Sequence, residues 1–242
     1  MRNYLVLLLA ILLTGCAGLA VNHFNQQYGP PNPARYDTPP QKGSISYAQD
    51  IKPLFESRCI VCHACYDAPC QLKLTSYEGL ARGANIEQVY NGERLIASKL
   101  TRMFEDAHST VEWRQKDFFP VLNERDDNPQ ANIEGSVLAQ MLLLKQENPL
   151  PQEKLLPESF DLGLSRQQQC TQIEQFADYR KKYPLWGMPY GLPEIGDTER
   201  DLLLQWLREG APYEPQQRVS APQQKQIDKW EAFFNQDSLK AQ

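Results

Sequence analysis

Cys59-Ile60-Val61-Cys62-His63 is a C-x-x-C-H pattern. Its spacing has a chemical reason. Two thiols separated by two residues reach the two vinyl groups on one edge of a haem, and an imidazole on the next residue swings under the ring to bind iron. Cys59 and Cys62 are therefore read as attachment points of a covalent haem c. His63 is read as the proximal iron ligand and as the centre of any chemistry done there. Other readings of the same cysteines fit less well. Cys59, Cys62, Cys65 and Cys70 also read as C-x2-C-x2-C-x4-C, close to an iron–sulfur run, but the last gap is one residue longer than the bacterial form and Gln71 stands where that form has Pro. A zinc site built from three of these cysteines and His63 is a further alternative.

The N-terminus places the chain in a compartment where haem c is attached. Arg2 is followed by an apolar run from Tyr4 to Leu13, too short to span a bilayer comfortably. Leu13-Thr14-Gly15-Cys16 reads as a lipobox, with residues 1–15 a lipoprotein signal peptide and Cys16 the lipidated first residue of the mature chain. Ordinary cleavage after Gly18-Leu19-Ala20 is the alternative and would discard Cys16. Ala17 favours the periplasmic face of the outer membrane. The signal has no twin arginine, so the chain is expected to cross the membrane unfolded and to lose any cytoplasmic cluster. Of the six cysteines, Cys65, Cys70 and Cys170 remain unassigned. An oxidising periplasm predicts one disulfide among these three, with the pairing open.

Residues 16–45 read as a tether, because Gly29-Pro30-Pro31-Asn32-Pro33 and Pro39-Pro40 favour extended polyproline conformation. His23 lies in it and is read as solvated. Helical signals begin at Ser46. Asp50 is a candidate N-cap with Pro53 in the first turn, and Ile51, Leu54 and Phe55 share a face leading into Cys59. Ser76 can cap a helix that carries Leu80 inward. Asn132 to Lys145 reads as one helix with Ile133, Val137, Leu138, Met141 and Leu142 on one face. Thr171 with Glu174 suggests a capping box for a helix ending near Tyr183. Asp197 is a candidate cap for a helix carrying Leu203, Trp206 and Leu207 and stopped by Gly210. Strand alternation is scarce, so the expected class is mainly α. The chain has 242 residues, is 41% hydrophobic and carries a net charge of -5. That permits a sizeable core and excludes the basic footprint of a nucleic-acid binder.

The second informative stretch is Trp186-Gly187-Met188-Pro189-Tyr190-Gly191-Leu192-Pro193. Gly and Pro on both sides hold a loop extended, and the Met188 thioether is the candidate sixth iron ligand, which would raise the reduction potential. His108 is the alternative ligand, while Met103 and Met141 are read as core. The Met loop and the helix after it resemble the C-terminal part of a class I cytochrome c. This gives a cytochrome c-like haem domain over 46–215, with a large insertion at about 95–183 between the C-x-x-C-H motif and the Met loop. An electron carrier does not need such an insertion. Residues 216–242 read as the start of a helical region: Ile227, Trp230, Phe233 and Phe234 form an apolar face, and Gln242 ends it without a cap, as in a truncated chain.

Longer stretches carry a more specific resemblance. Ser46-Tyr47-Ala48-Gln49-Asp50-Ile51-Lys52-Pro53-Leu54-Phe55, the run from Cys59 to Lys73, Phe119-Pro120-Val121-Leu122-Asn123-Glu124-Arg125 and the run from Tyr183 to Pro193 resemble the bacterial fatty acid cis/trans isomerases. The resemblance implies a periplasmic, haem c-dependent isomerase that converts cis acyl chains of membrane phospholipids to trans, as a response to membrane stress. It implies haem held by Cys59 and Cys62 with His63 on iron; the role of Met188 rests on the loop alone. The hypothetical chemistry is redox-neutral: electron density is drawn from the alkene, the bond rotates and the density returns. Trp186, Tyr190, Phe118 and Phe119 are candidates for an apolar route, against the plainer reading that they are core. The alternative function is a lipid-anchored monohaem cytochrome that passes electrons to a periplasmic redox partner. A non-catalytic, zinc- or disulfide-stapled lipoprotein is the third.

Overall fold

The computed structural model describes residues 23–65, 68–89, 96–152, 155–163, 165–214, 225–226, 228–230 and 232. The expectations for the signal peptide and Cys16, and most of those for 216–242, lie outside the described residues. Among these residues the fold is mainly α and holds no β-strand; Ala84 and Phe119 form an isolated antiparallel bridge. The helices are α1 (Lys52–Arg58), α2 (Ile60–His63), α3 (Tyr77–Arg82), α4 (Thr110–Gln115), α5 (Pro129–Glu134), α6 (Val137–Glu147), α7 (Arg166–Gln169), α8 (Phe176–Lys182) and α9 (Asp197–Arg208). A π-turn at Tyr47–Ile51 leads into α1, and short 3-10 turns lie at Pro69–Gln71 and Ile173–Gln175.

Capping chemistry explains most helix ends and corrects several expectations. Ser46, not Asp50, opens the first helical run. Its Oγ accepts from the Gln49 N–H (3.3 Å), and Asp50 reaches back to accept from the Ser46 N–H (2.9 Å), a reciprocal cap. Pro53 sits in the first turn of α1. Ser76 caps α3 through the Gly79 N–H, and Leu80 is buried. The helix expected over Asn132–Lys145 is two helices broken at Gly135. Ser136 starts α6 by accepting from the Ala139 N–H (3.2 Å) while donating to the Val121 carbonyl (2.9 Å). The apolar stripe runs across this break, which is why spacing alone concealed it. Thr171 and Glu174 form no capping box: Thr171 donates to the Gln172 carbonyl and Glu174 pairs with Arg125. Asp197 is the first residue of α9 and Gly196 its cap, with Glu199 accepting the Gly196 N–H (3.2 Å). Gly210, at φ +85°, turns the chain so that the Ala211 N–H reaches the Trp206 carbonyl (3.1 Å), satisfying an end group the helix leaves open.

Two apolar cores meet at α6. The first joins Phe55 of α1, Tyr47 and Tyr77 to Leu203, Trp206 and Leu207 of α9; Trp206 is fully buried, and its indole N–H donates to the Pro212 carbonyl (2.9 Å). The second joins Phe160, Ile173, Phe176, Tyr179 and Trp186. α6 supplies Ala139 and Leu142 to the first core and Val137, Met141 and Leu144 to the second. Being apolar on nearly every side, it is the central element of the fold.

The described part of the expected tether, residues 23–45, is packed against the body. Tyr28 and Tyr36 are buried, and the Tyr36 hydroxyl donates to the Asn123 carbonyl (2.9 Å). Arg35 pairs with Asp127 (2.7 Å), and Arg125 donates to Asn25, to the Gly29 carbonyl and to Glu174. Residues 23–28 are helical, and the Pro-rich run after them lies on a surface that offers it partners. His23 is exposed. The described residues of the 95–183 stretch likewise do not form a body of their own: Val121, Leu122 and Leu142 share the first core with Phe55 and Trp206. Cys70 and Cys170 form a disulfide (Cα–Cα 5.6 Å), tying the middle of the chain to the C-x-x-C-H segment, while Cys65 is an exposed free thiol.

Candidate functional site

Cys59 closes α1, accepting no further turn of it, and α2 carries Cys62 and His63. The chain then bends sharply. Cys70 and Gln71 both adopt left-handed backbone (φ +55° and +48°), a costly conformation for side-chain-bearing residues that the surrounding contacts must hold. The bend returns the chain to His63 on both sides. The Leu74 N–H donates to the His63 carbonyl (2.9 Å), and the His63 Nδ1–H donates to the Leu72 carbonyl (3.2 Å). A carbonyl only accepts, so the proton is on Nδ1 and Nε2 carries a free lone pair, ready to ligate a metal. Burial holds the imidazole below its ordinary pKa, partly offset by the bond to Leu72. His63 is therefore a neutral, oriented donor near neutral pH.

Cys59, Cys62 and His63 line an apolar cavity that Met188 lines as well. The cavity has a volume of about 200 Å³ and is open to solvent on one side. Burial, with Cys62 beside it, pushes the Cys59 thiol up to about 11, so Cys59 is a protonated thiol and not an activated thiolate. α6 contributes Val137, Leu138, Met141 and Leu142 to the walls, and both cysteines of the Cys70–Cys170 disulfide line the cavity too. The mouth is marked by lining residues that are exposed: Arg58, Val61 (80% exposed), Cys62 and Leu192.

The two stretches singled out in the sequence, more than a hundred residues apart, thus face one cavity. Other candidates fall elsewhere. His108 is exposed at the start of α4 and is absent from the cavity wall. Met103 packs with Trp113 and Phe118 in a small satellite core. Met141 is core as expected, and also wall. Of the four aromatic candidates for a route, Phe119 and Tyr190 line the cavity. Trp186 is buried behind it, its indole N–H donating to the Asp161 carbonyl (2.8 Å), and Phe118 lies under the Arg82 guanidinium (4.7 Å). Among the described residues no group of three or more His, Cys, Asp or Glu side chains is placed to hold a metal ion.

Sequence reasoning missed Lys145. It lies on α6, is 0% exposed, and its Nζ donates to the Leu192 carbonyl (3.0 Å) at the end of the Met188 loop. The signal was available: 138, 141, 142 and 145 form one i, i+3, i+4, i+7 stripe, and a lysine on an apolar stripe is out of pattern. Desolvation lowers its pKa to about 8, with Glu194 opposing through space.

The sequence profile of the family described as fatty acid cis/trans isomerase (CTI) matches residues 98–242. The chain belongs to the fatty acid cis/trans isomerase family. The matched region supplies α6, the Cys170 side of the disulfide, Tyr179 and the whole Met188 loop, all of which contribute to the cavity lining. The Cys59–His63 wall precedes it. No curated protein and no solved structure matches the chain.

Proposed function

We propose that this chain isomerises cis unsaturated fatty acyl chains of membrane phospholipids to trans at a haem c that Cys59, Cys62 and His63 would hold, with Met188 as a further candidate iron ligand. The observation that carries the reading is the convergence of those four residues on one apolar cavity in a chain of the isomerase family. The donor set suits the group. Two free cysteines at the attachment spacing lie on the cavity, a histidine keeps Nε2 unprotonated with its tautomer held by Leu72, and the lining is apolar. When bound, the haem would supply an iron centre able to draw electron density from an alkene. The chain's own residues do the rest. Cys59 and Cys62 anchor and His63 orients; the apolar walls exclude water and accept acyl carbon; Val61 and Leu192 offer an apolar threshold at the mouth. On the same reading residues 46–215 form a cytochrome c-like unit, and a lipid on Cys16 holds it at the periplasmic face of the outer membrane, near its substrate.

One observation favours electron transfer instead: Val61 and Cys62 are exposed, which would leave an attached haem's edge near the surface for a redox partner. The two readings separate in cells under solvent stress. Isomerisation requires that deleting the gene lower the trans/cis ratio of phospholipid acyl chains, and that His63→Ala fail to restore it. An unchanged ratio on deletion overturns the isomerase reading. A purified mature chain whose mass shows no covalent haem overturns both.

A further inference from the structure

Lys145 is the least expected side chain near the site. A fully buried ammonium is costly unless well paired, yet among the described residues no carboxylate forms an ion pair with it, and its Nζ bonds to a single backbone carbonyl, that of Leu192. What that bond does follows from its neighbours on α6. Met141 and Lys145 are four residues apart and so share a face of the helix. The Met141 carbonyl accepts the Met188 N–H (3.1 Å) at the start of the loop, and Lys145 Nζ takes the Leu192 carbonyl at its end. Just ahead of the first grip Gly187 lies flush on the helix: a Cβ there would stand 2.3 Å from the Lys145 backbone nitrogen. One helical turn therefore grips both ends of the segment that presents Met188 to the cavity.

We propose that Lys145 is a positioning residue that clamps the Met188–Leu192 loop onto α6 and thereby sets where Met188 stands in the cavity that His63 also lines. The clamp itself needs no haem; its consequence for an iron ligand rests on the function proposed above.

The test uses the full chain carrying Lys145→Met, which keeps the length and the apolar stem but removes the donor. Two amides report by hydrogen exchange: Met188, bound to Met141, and Leu74, bound to His63. The clamp requires the Met188 amide to exchange about tenfold faster or more while Leu74 changes by less than about threefold. Unchanged protection at Met188 overturns the proposal. So does equal acceleration at both amides, which would make Lys145 a general stabiliser. Should Lys145→Met not fold, Lys145→Leu, which also lacks a donor, is judged by the same two amides and the same thresholds. The haem-loaded protein gives the second readout. If Met188 binds iron, Lys145→Met lowers the reduction potential toward that of Met188→Ala, because loss of a thioether ligand lowers it. A Met188→Ala protein with the wild-type potential sinks the ligand assignment alone, while the exchange measurement still decides the clamp.

Discussion

The two walls of the cavity are held in different ways. On the His63 wall the fixing contacts are local: Nδ1 reaches Leu72, nine positions along the chain, and the Leu74 N–H returns to the His63 carbonyl. On the Met188 wall they are remote. Lys145 is 47 positions from Leu192, and Trp186 is anchored to Asp161, 25 positions away. A side chain whose holders lie within its own segment keeps its orientation wherever that segment packs. A side chain held by another helix depends on the whole arrangement. The Met188 wall is therefore the adjustable one, and the disulfide between Cys70 and Cys170 is the covalent link between the two.

Four measurements break or sharpen this contrast. Removing Trp186 should have the largest effect. Trp186→Ala deletes a buried ring stacked on Tyr183 (3.9 Å) in the second core, a loss of about 3–5 kcal/mol read from the denaturant midpoint. Below the unfolding transition, Met188 amide exchange should rise while Leu74 holds; parallel loss at both amides would show that the walls are one cooperative unit. Opening the disulfide by Cys170→Ser should remove about 2–5 kcal/mol, given the 100 positions it spans. Because the link joins the walls, both amides should lose protection here, and an effect confined to one wall would deny the link its bridging role.

The third test is a pH dependence. Lys145 titrates at about 8 in the folded chain, below its ordinary 10.5, chiefly because burial disfavours the charge. Between those values the unfolded chain binds the proton more tightly, so stability should rise as pH increases from about 8 toward 10.5. Comparing the slopes of wild type and Lys145→Met isolates this component; identical slopes would mean that Lys145 carries no such shift. The smallest effect belongs to the local wall. Ser76→Ala removes the cap of α3 and should cost about 1 kcal/mol, leaving Met188 exchange unchanged. A Met188 response as large as that of Trp186→Ala would erase the distinction between the walls.

What could be read in the chain itself follows the same division. Helix class, the Ser76 cap, the stop at Gly210 and the placing of Phe55, Leu203 and Trp206 in a core were legible, because each depends on residues within a turn or two. The 4-residue reach of a helix, however, sees nothing of what lies across it. The break at Gly135 hides inside an unbroken apolar stripe, and only the Val121 carbonyl accepting from Ser136 gives it a place. The Pro-rich run at 29–40 reads as free chain until Asn123, Arg125 and Asp127 are brought beside it.

The sequence by itself determined the chemistry on offer: two cysteines at a two-residue spacing, a histidine after them, a methionine in a loop bounded by Gly and Pro, and a mainly helical chain to carry them. Only the tertiary structure decided that these face one cavity, that Cys70 pairs with Cys170 and Cys65 stays free, and that a lysine is buried to grip the loop. The physical reason is range. Capping and periodicity act over a few residues, whereas the walls of a cavity are set by packing and by backbone partners tens of residues away.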